Sequence, residues 1–194
     1  MEKFIDNYIN NSIDVKKKIL ETPEIKEAII KSVYAIIDAY KNGHKFLTAG
    51  NGGSAADAQH IAAELVAKFF IERPALNALA LTTNSSILTA VGNDYGHEFA
   101  LARQVQAYTN EGDVLLAIST SGNSKNILLA IDEAKKKGAF IIGLVGGKSC
   151  KMDKVCDITI KTPSEVTPNI QEAHIMIGHI ICALVERELF ERGN

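Results

Sequence analysis

Apolar residues recur at helical spacing at both ends of this chain and in short unbroken runs through its middle. Residues 2–20 place Phe4, Ile5, Tyr8, Ile9, Ile13 and Leu20 near the period of about 3.6 that predicts an amphipathic helix. A second helix is expected after Thr22-Pro23, with Thr22 as its cap and Pro23 at its first position. Its apolar residues run through Ile25, Ile29, Val33, Ile36, Ile37 and Tyr40, and Asn42-Gly43 ends it. Beyond it, strands are expected at 45–49, 77–81, 114–119, 140–145 and 157–161. Helices are expected at 54–70, 85–91, 98–106, 125–137 and 169–191.

Short apolar strands alternating with helices predict an α/β fold, a parallel sheet covered on both faces with right-handed crossovers. The two leading helices precede the first strand and cannot be crossovers. They are expected outside the α/β core or against another subunit. No linker, repeat or low-complexity tract interrupts the sequence, so residues 1–194 read as one domain.

Composition narrows the function classes. Hydrophobic residues make up 46%, which excludes a disordered or fibrous chain. A net charge of −2 offers no bulk attraction to nucleic acid or an anionic membrane. The opening MEKFIDNYINNSIDVKKK lacks the apolar core of a signal peptide, and no run approaches the ~20 apolar residues of a membrane span. Cys150, Cys156 and Cys182 fit no zinc or redox spacing and read as reduced thiols, so a cytoplasmic protein is expected.

Two expected turns carry chemistry. Ser119-Thr120-Ser121-Gly122-Asn123-Ser124 joins an apolar strand to a helix, gathering hydroxyls and free backbone N–H groups where a helix dipole favours an anion. It contains no Lys or Arg, so it suits a phosphate monoester held as a handle. Asn51-Gly52-Gly53-Ser54 sits at an equivalent strand end. It is neither a dinucleotide fingerprint nor a P-loop. A single serine at a helix start reads first as an N-cap, whereas two such turns at the carboxyl ends of parallel strands favour a ligand. Asn93 and Asp94, at a further helix end, could bond sugar hydroxyls or simply form a turn.

Ionisable residues gather on two helices. His60 and Glu64 are i and i+4 and share a face. The last helix carries Gln171, His174 and His179, the latter within the apolar stretch IMIGHIICAL. A buried histidine needs a partner, and His60 or Glu64 would serve. A His60/Glu64/Gln171/His179 set could hold a divalent metal. Gln171 and His179 would, however, stand about 12 Å apart along one helix. Either the helix starts after Gln171, or the two come from different subunits; a site shared across a subunit interface is expected.

The segments AGNGGSAADAQHIAAEL, LTAVGNDYGHEFA, GDVLLAISTSGNSKNI and PNIQEAHIMIGHII together resemble the phosphosugar isomerase (SIS) fold, and within it the sedoheptulose 7-phosphate isomerases. The resemblance spans essentially the whole chain. It implies a five-stranded parallel sheet sandwiched by helices, with two N-terminal helices and a long C-terminal helix. It implies a homotetramer with sites between subunits, and substrate contacts from Asn51, Gly52, Gly53, Ser54, Glu64, Asn93, Asp94, Ser119, Thr120, Ser121, Ser124 and Gln171. It further implies one Zn2+ per subunit on His60, Glu64, Gln171 and His179, with Glu64 as base and His179 as acid. The expected reaction turns sedoheptulose 7-phosphate into D-glycero-D-manno-heptose 7-phosphate through an enediol(ate), opening ADP-heptose synthesis for lipopolysaccharide core or another surface glycan. The alternatives are an isomerase of another sugar phosphate and a non-catalytic relative that binds a replication initiator. That relative lacks counterparts of Glu64 and His179, which this chain has. Thr167-Pro168-Asn169 departs from relatives that carry charged residues there.

Overall fold

The computed structural model describes residues 1–191. Its strands are β1 (Phe46–Ala49), β2 (Ala78–Ala80), β3 (Val114–Ser119), β4 (Phe140–Val145) and β5 (Ile158–Lys161). They form one parallel sheet in the order β2-β1-β3-β4-β5. The helices are α1 (Glu2–Glu21), α2 (Pro23–Lys41), α3 (Gly53–Val66), α4 (Ser85–Asp94), α5 (Ala100–Tyr108), α6 (Lys125–Lys136) and α7 (Thr167–Phe190). Short 3-10 turns at His97–Phe99 and Lys151–Lys154 complete the elements.

The apolar runs are continuous because both faces of the sheet are covered. Val114, Leu116 and Ile118 of β3 pack with α2, α3 and α7, while Leu115 and Ala117 pack with α5 and α6. All of these strand residues are buried. The second helix is therefore not outside the core as expected: Ile25, Ile29, Val33, Ile36 and Ile37 of α2 belong to the cluster over β1, β3, β4 and β5. Only α1 stands partly apart. It buries Val15 and Ile19 but leaves Phe4, Ile5, Tyr8, Ile9 and Ile13 exposed.

Three local expectations are corrected. Thr22 occupies the N-cap position of α2 as expected, but its side chain makes no cap bond, its hydroxyl donating to the Lys18 carbonyl 2.6 Å away. The third helix stops at Val66 rather than 70, because the backbone N–H groups of Phe69, Phe70 and Ile71 turn to the side chain of Glu186. The last helix begins at Thr167, where Pro168 sits in the first turn and needs no N–H partner. It does not start after Gln171.

Candidate active site

The strand order reverses between β1 and β3: β2 lies beyond β1 on one side, and β4 and β5 follow β3 on the other. Ligand crevices of doubly wound sheets open at such a switch point, outside the carboxyl ends of the strands. The two chemically loaded turns leave these two strands. Asn51 Nδ2 donates to Asn126 Oδ1 (2.9 Å) and Asn126 Nδ2 returns a bond to Asn51 Oδ1 (2.7 Å), tying the turns together. Asn126 carries no signal in the sequence beyond its place in the first turn of α6.

The serine turn is ordered by its own hydroxyls. Ser119 Oγ meets Ser124 Oγ at 3.0 Å and accepts the Gly122 N–H at 3.2 Å. Ser121 Oγ accepts the Asn123 N–H at 3.2 Å. Ser124 occupies the N-cap position of α6, yet its side chain makes no cap bond. Ser54 is no cap either, since Gly52 holds that position on α3. Gly122 adopts φ +61°, and a Cβ there would stand 2.3 Å from Cys150 Sγ. Only glycine meets both conditions. Behind the turn, Met152 N–H donates to the Gly122 carbonyl and Lys151 N–H to Asn123 Oδ1. A cleft of about 270 Å³ runs from Thr120 and Ser121 to Thr167 and Ile170 at the start of α7. Lys148 and Glu165, paired at 3.1 Å, also line it. A turn with no cation of its own thus has an ammonium nearby, supplied by the loop after β4.

The ionisable residues converge from two helices. His60 Nε2 lies 2.9 Å from Glu64 Oε1, and the His60 and His179 rings meet edge to face with centroids 4.9 Å apart. One ligand atom from each of His60, Glu64 and His179 lies within 4.8 Å of the other two. The helices approach this closely because His179 follows Gly178. A Cβ on Gly178 would come within 2.5 Å of Ile61 Cδ1, next to His60. Phe69 closes another side, its ring centroid 5.5 Å from that of His179. Asp57, one turn before His60, belongs to this group and was not singled out from sequence, although its i−3 spacing is the available signal. Burial raises its carboxyl pKa, partly opposed by His60 and His179.

Gln171 lies apart from the trio within this protomer. Its amide packs on the start of α3, where a Cβ on Gly53 would meet Gln171 Nε2 at 2.6 Å. Because α7 is continuous through Gln171, Gln171 and His179 of one chain stand about 12 Å apart along the helix.

An SIS-domain family model matches residues 7–146. Phosphoheptose isomerase of Aneurinibacillus thermoaerophilus is 54% identical over 190 residues, 98% of this chain and 96% of that protein. Phosphoheptose isomerase 2 of Campylobacter jejuni is 54% identical over 193 residues, 100% of this chain and 96% of that protein. A solved phosphoheptose isomerase from Francisella tularensis superposes with a TM-score of 0.91 at 38% identity, over 95% of this chain and 97% of that one. The chain belongs to the SIS-domain phosphoheptose isomerases. Within that family fold the chain carries both a switch-point crevice and, further along α3 and α7, the helix-borne trio.

The remaining candidates are placed as follows. Asn93 and Asp94 end α4, exposed, with Asn93 Nδ2 donating to Asp94 Oδ1 at 2.8 Å. The segment after them is tied to the first residue of α6 by Glu98 and Lys125 (2.9 Å). His97 is exposed and His44 half-buried. His174 is fully buried, and neither ring nitrogen has a hydrogen-bond partner of good geometry. Burial lowers its pKa to about 4, with the Val145 backbone opposing. Cys150 and Cys182 are buried free thiols, and Cys156 is half-buried.

The trio also passes a test for a metal. His179 Nε2 is buried and has no partner among the described residues. A buried donor atom left so is expensive unless something binds it. Two imidazoles and a carboxylate within one ion's reach are a donor set that suits zinc.

Proposed function

We propose that this chain interconverts sedoheptulose 7-phosphate and D-glycero-D-manno-heptose 7-phosphate. The observation that carries the reading is the meeting of His60, Glu64 and His179 on two helices whose first turns, at Gly53 and Gln171, adjoin a switch point that presents hydroxyls and N–H groups. Membership among the phosphoheptose isomerases names the sugar.

The serine turn, with Ser119, Thr120, Ser121 and Ser124, holds the phosphate, which does not react. Its binding free energy positions the far end of the sugar. Asn51, Gly52, Gly53, Ser54, Asn93, Asp94 and Gln171 orient the chain between. The Glu64 carboxylate takes the proton from C1 of the ketose as O2 gains one, giving the enediol. O1 then gives up its proton as C2 receives one, and the aldose results. His179 moves the protons at the oxygens. A carboxylate has two oxygens, so one can face His60 while the other meets C1.

His60, Glu64 and His179 would hold a zinc ion, with Gln171 supplied by a neighbouring subunit. Such an ion would polarise the substrate's oxygens. Two apolar surfaces support a homotetramer with sites at its interfaces. One is the exposed face of α1; the other is Val66, Phe70 and Ile180 around the trio. Among the described residues no helix is long and apolar enough to cross a membrane. Action in the cytoplasm, on a precursor of lipopolysaccharide core or another surface glycan, fits these features.

The test is incubation with sedoheptulose 7-phosphate and enzymatic trapping of the aldoheptose phosphate. Metal analysis before and after chelation and light scattering accompany it. Turnover with a tetrameric mass is expected. No product from folded protein would refute the enzyme reading and favour a binding role.

A further inference from the structure

Arg73 and Glu186 form an ion pair with side chains only 1% and 2% exposed, Nε to Oε2 3.0 Å apart. Neither residue belongs to the switch-point crevice, and the reaction above does not use them. Their other hydrogen bonds show what they hold. Glu186, on α7 two turns beyond His179, accepts the N–H groups of Phe69 (3.0 Å), Phe70 (2.6 Å) and Ile71 (3.0 Å). Arg73 donates from Nη2 to the carbonyl of Glu64 itself (2.9 Å). From Nη1 it donates to the carbonyls of Leu65 (2.7 Å), Ala67 (3.2 Å) and Pro74 (3.1 Å). The guanidinium thus closes the C-terminal end of α3, whose C-cap residue Ala67 is not in the left-handed conformation.

We infer that Arg73 and Glu186 are positioning residues: the pair fixes α3, which carries Glu64 and His60, against α7, which carries His179. This rests on the roles proposed above for those three residues. Stability alone does not call for ions here, because an apolar pair of equal volume would often be as stable. An apolar pair has no directional bonds, however. It could not grip the Glu64 carbonyl and, through Glu186, the backbone beside Phe69, whose ring lies on His179. Burial pushes the Glu186 carboxyl upward, but the three N–H donors and Arg73 outweigh it and lower its pKa overall. The pair acts on the backbone that carries the three side chains rather than on the side chains themselves.

The test uses the full-length protein with Glu186→Gln and Arg73→Lys. Lysine retains the charge beside Glu186 but has no planar fork to span the Glu64 and Leu65 carbonyls. Two readouts are taken: kcat and KM for the sugar phosphate, and the dissociation constant for Co2+ by chelator competition. Expected are a kcat lower by about tenfold or more, a Co2+ dissociation constant about 10- to 100-fold weaker, and a KM nearly unchanged. Asp113→Asn serves as the control. Asp113 is buried just before β3, where it accepts bonds from Lys45 and Asn110 and touches neither α3 nor α7 through any hydrogen bond among the described residues, and its loss should lower Tm alone. Folded variants with wild-type kcat and Co2+ affinity would overturn the inference. So would losses that the control reproduces at equal Tm. If Glu186→Gln does not fold, Glu186→Asp, which draws the carboxylate back by one methylene, is read by the same criteria. If the wild-type protein turns over no sugar phosphate, the functional reading fails, while the Co2+ arm still decides whether the pair positions the trio.

Discussion

Ser119 to Ser124 are six consecutive residues, and their hydroxyls and N–H groups bond one another. His60, Glu64 and His179 come from opposite halves of the chain and meet only where α3 crosses α7. The serine turn is set by local backbone conformation, with Gly122 in the left-handed region and the Lys151–Lys154 turn behind it. The trio depends on how closely two helices pack. A local seat tolerates small movements of the layers around it. A convergent site transmits every one of them to the reacting groups. If the two regions divide the work as proposed, changes at the trio should act on kcat and changes at the turn on KM.

The most severe break is Glu64→Gln. It removes the base and leaves the serine turn intact. We expect kcat to fall by about 10²- to 10⁴-fold, with KM, circular dichroism and oligomeric mass near wild type. Steady-state kinetics beside light scattering check this. A variant retaining the wild-type rate would take Glu64 out of the chemistry.

The sequence and the structure differ along the same line. The serine turn was readable because strand, turn and helix follow one another, and their boundaries at Val114–Ser119 and Lys125 were met by the structure. The His60–Glu64 pair was equally readable, being i and i+4 on one helix. What could not be read was long-range. Nothing in the residues around Arg73 and Glu186 announces that they will pair, so the third helix was extended past its true end at Val66. The role of Gly178 depends on Ile61 lying opposite, and Asp57 joins the site only because His179 arrives there. The core role of α2 was missed for a related reason. Helices before the first strand look dispensable in a crossover scheme, yet a sheet face needs cover from whichever helix is at hand.

Acid separates the regions next. His174 lies on α7 between Gln171 and His179, fully buried. Its folded pKa of about 4 stands below the ordinary 6.5. Between these values the unfolded chain binds a proton that the folded one does not. Stability therefore falls as pH drops through that window, and this group contributes no slope above it. The full swing is on the order of 3 kcal/mol. Urea unfolding from neutral pH down to about pH 4 should show the decline in wild type and a shallower one in His174→Leu. Parallel curves would mean that the acid sensitivity of this layer lies elsewhere.

Gly178→Ala tests the helix crossing without touching a charged group. The added methyl would meet Ile61 Cδ1 at 2.5 Å and Cγ1 at 2.7 Å, and Ile61 is wholly buried. Over-packing of this kind costs about 1–3 kcal/mol. We expect a lower Tm together with a lower kcat, because the strain separates His60 from His179. A variant that loses stability at unchanged kcat would show that the trio is less dependent on this spacing than the serine turn comparison implies.

The smallest effect is expected at the turn itself. Ser124→Ala deletes the hydroxyl that meets Ser119 Oγ at 3.0 Å but removes no helix cap, since the Ser124 side chain makes no cap bond. Ser119 keeps its bond from the Gly122 N–H, so the turn should hold its shape. Losing one of several hydrogen bonds to an ionised phosphate oxygen costs about 1.5 kcal/mol, which raises KM roughly tenfold. kcat and Tm should stay near wild type, as should Co2+ affinity at the trio. An effect confined to Tm would instead make Ser124 a structural residue of the α6 start, and the division between a binding turn and a reacting cluster would have to be redrawn around Ser119 and Ser121.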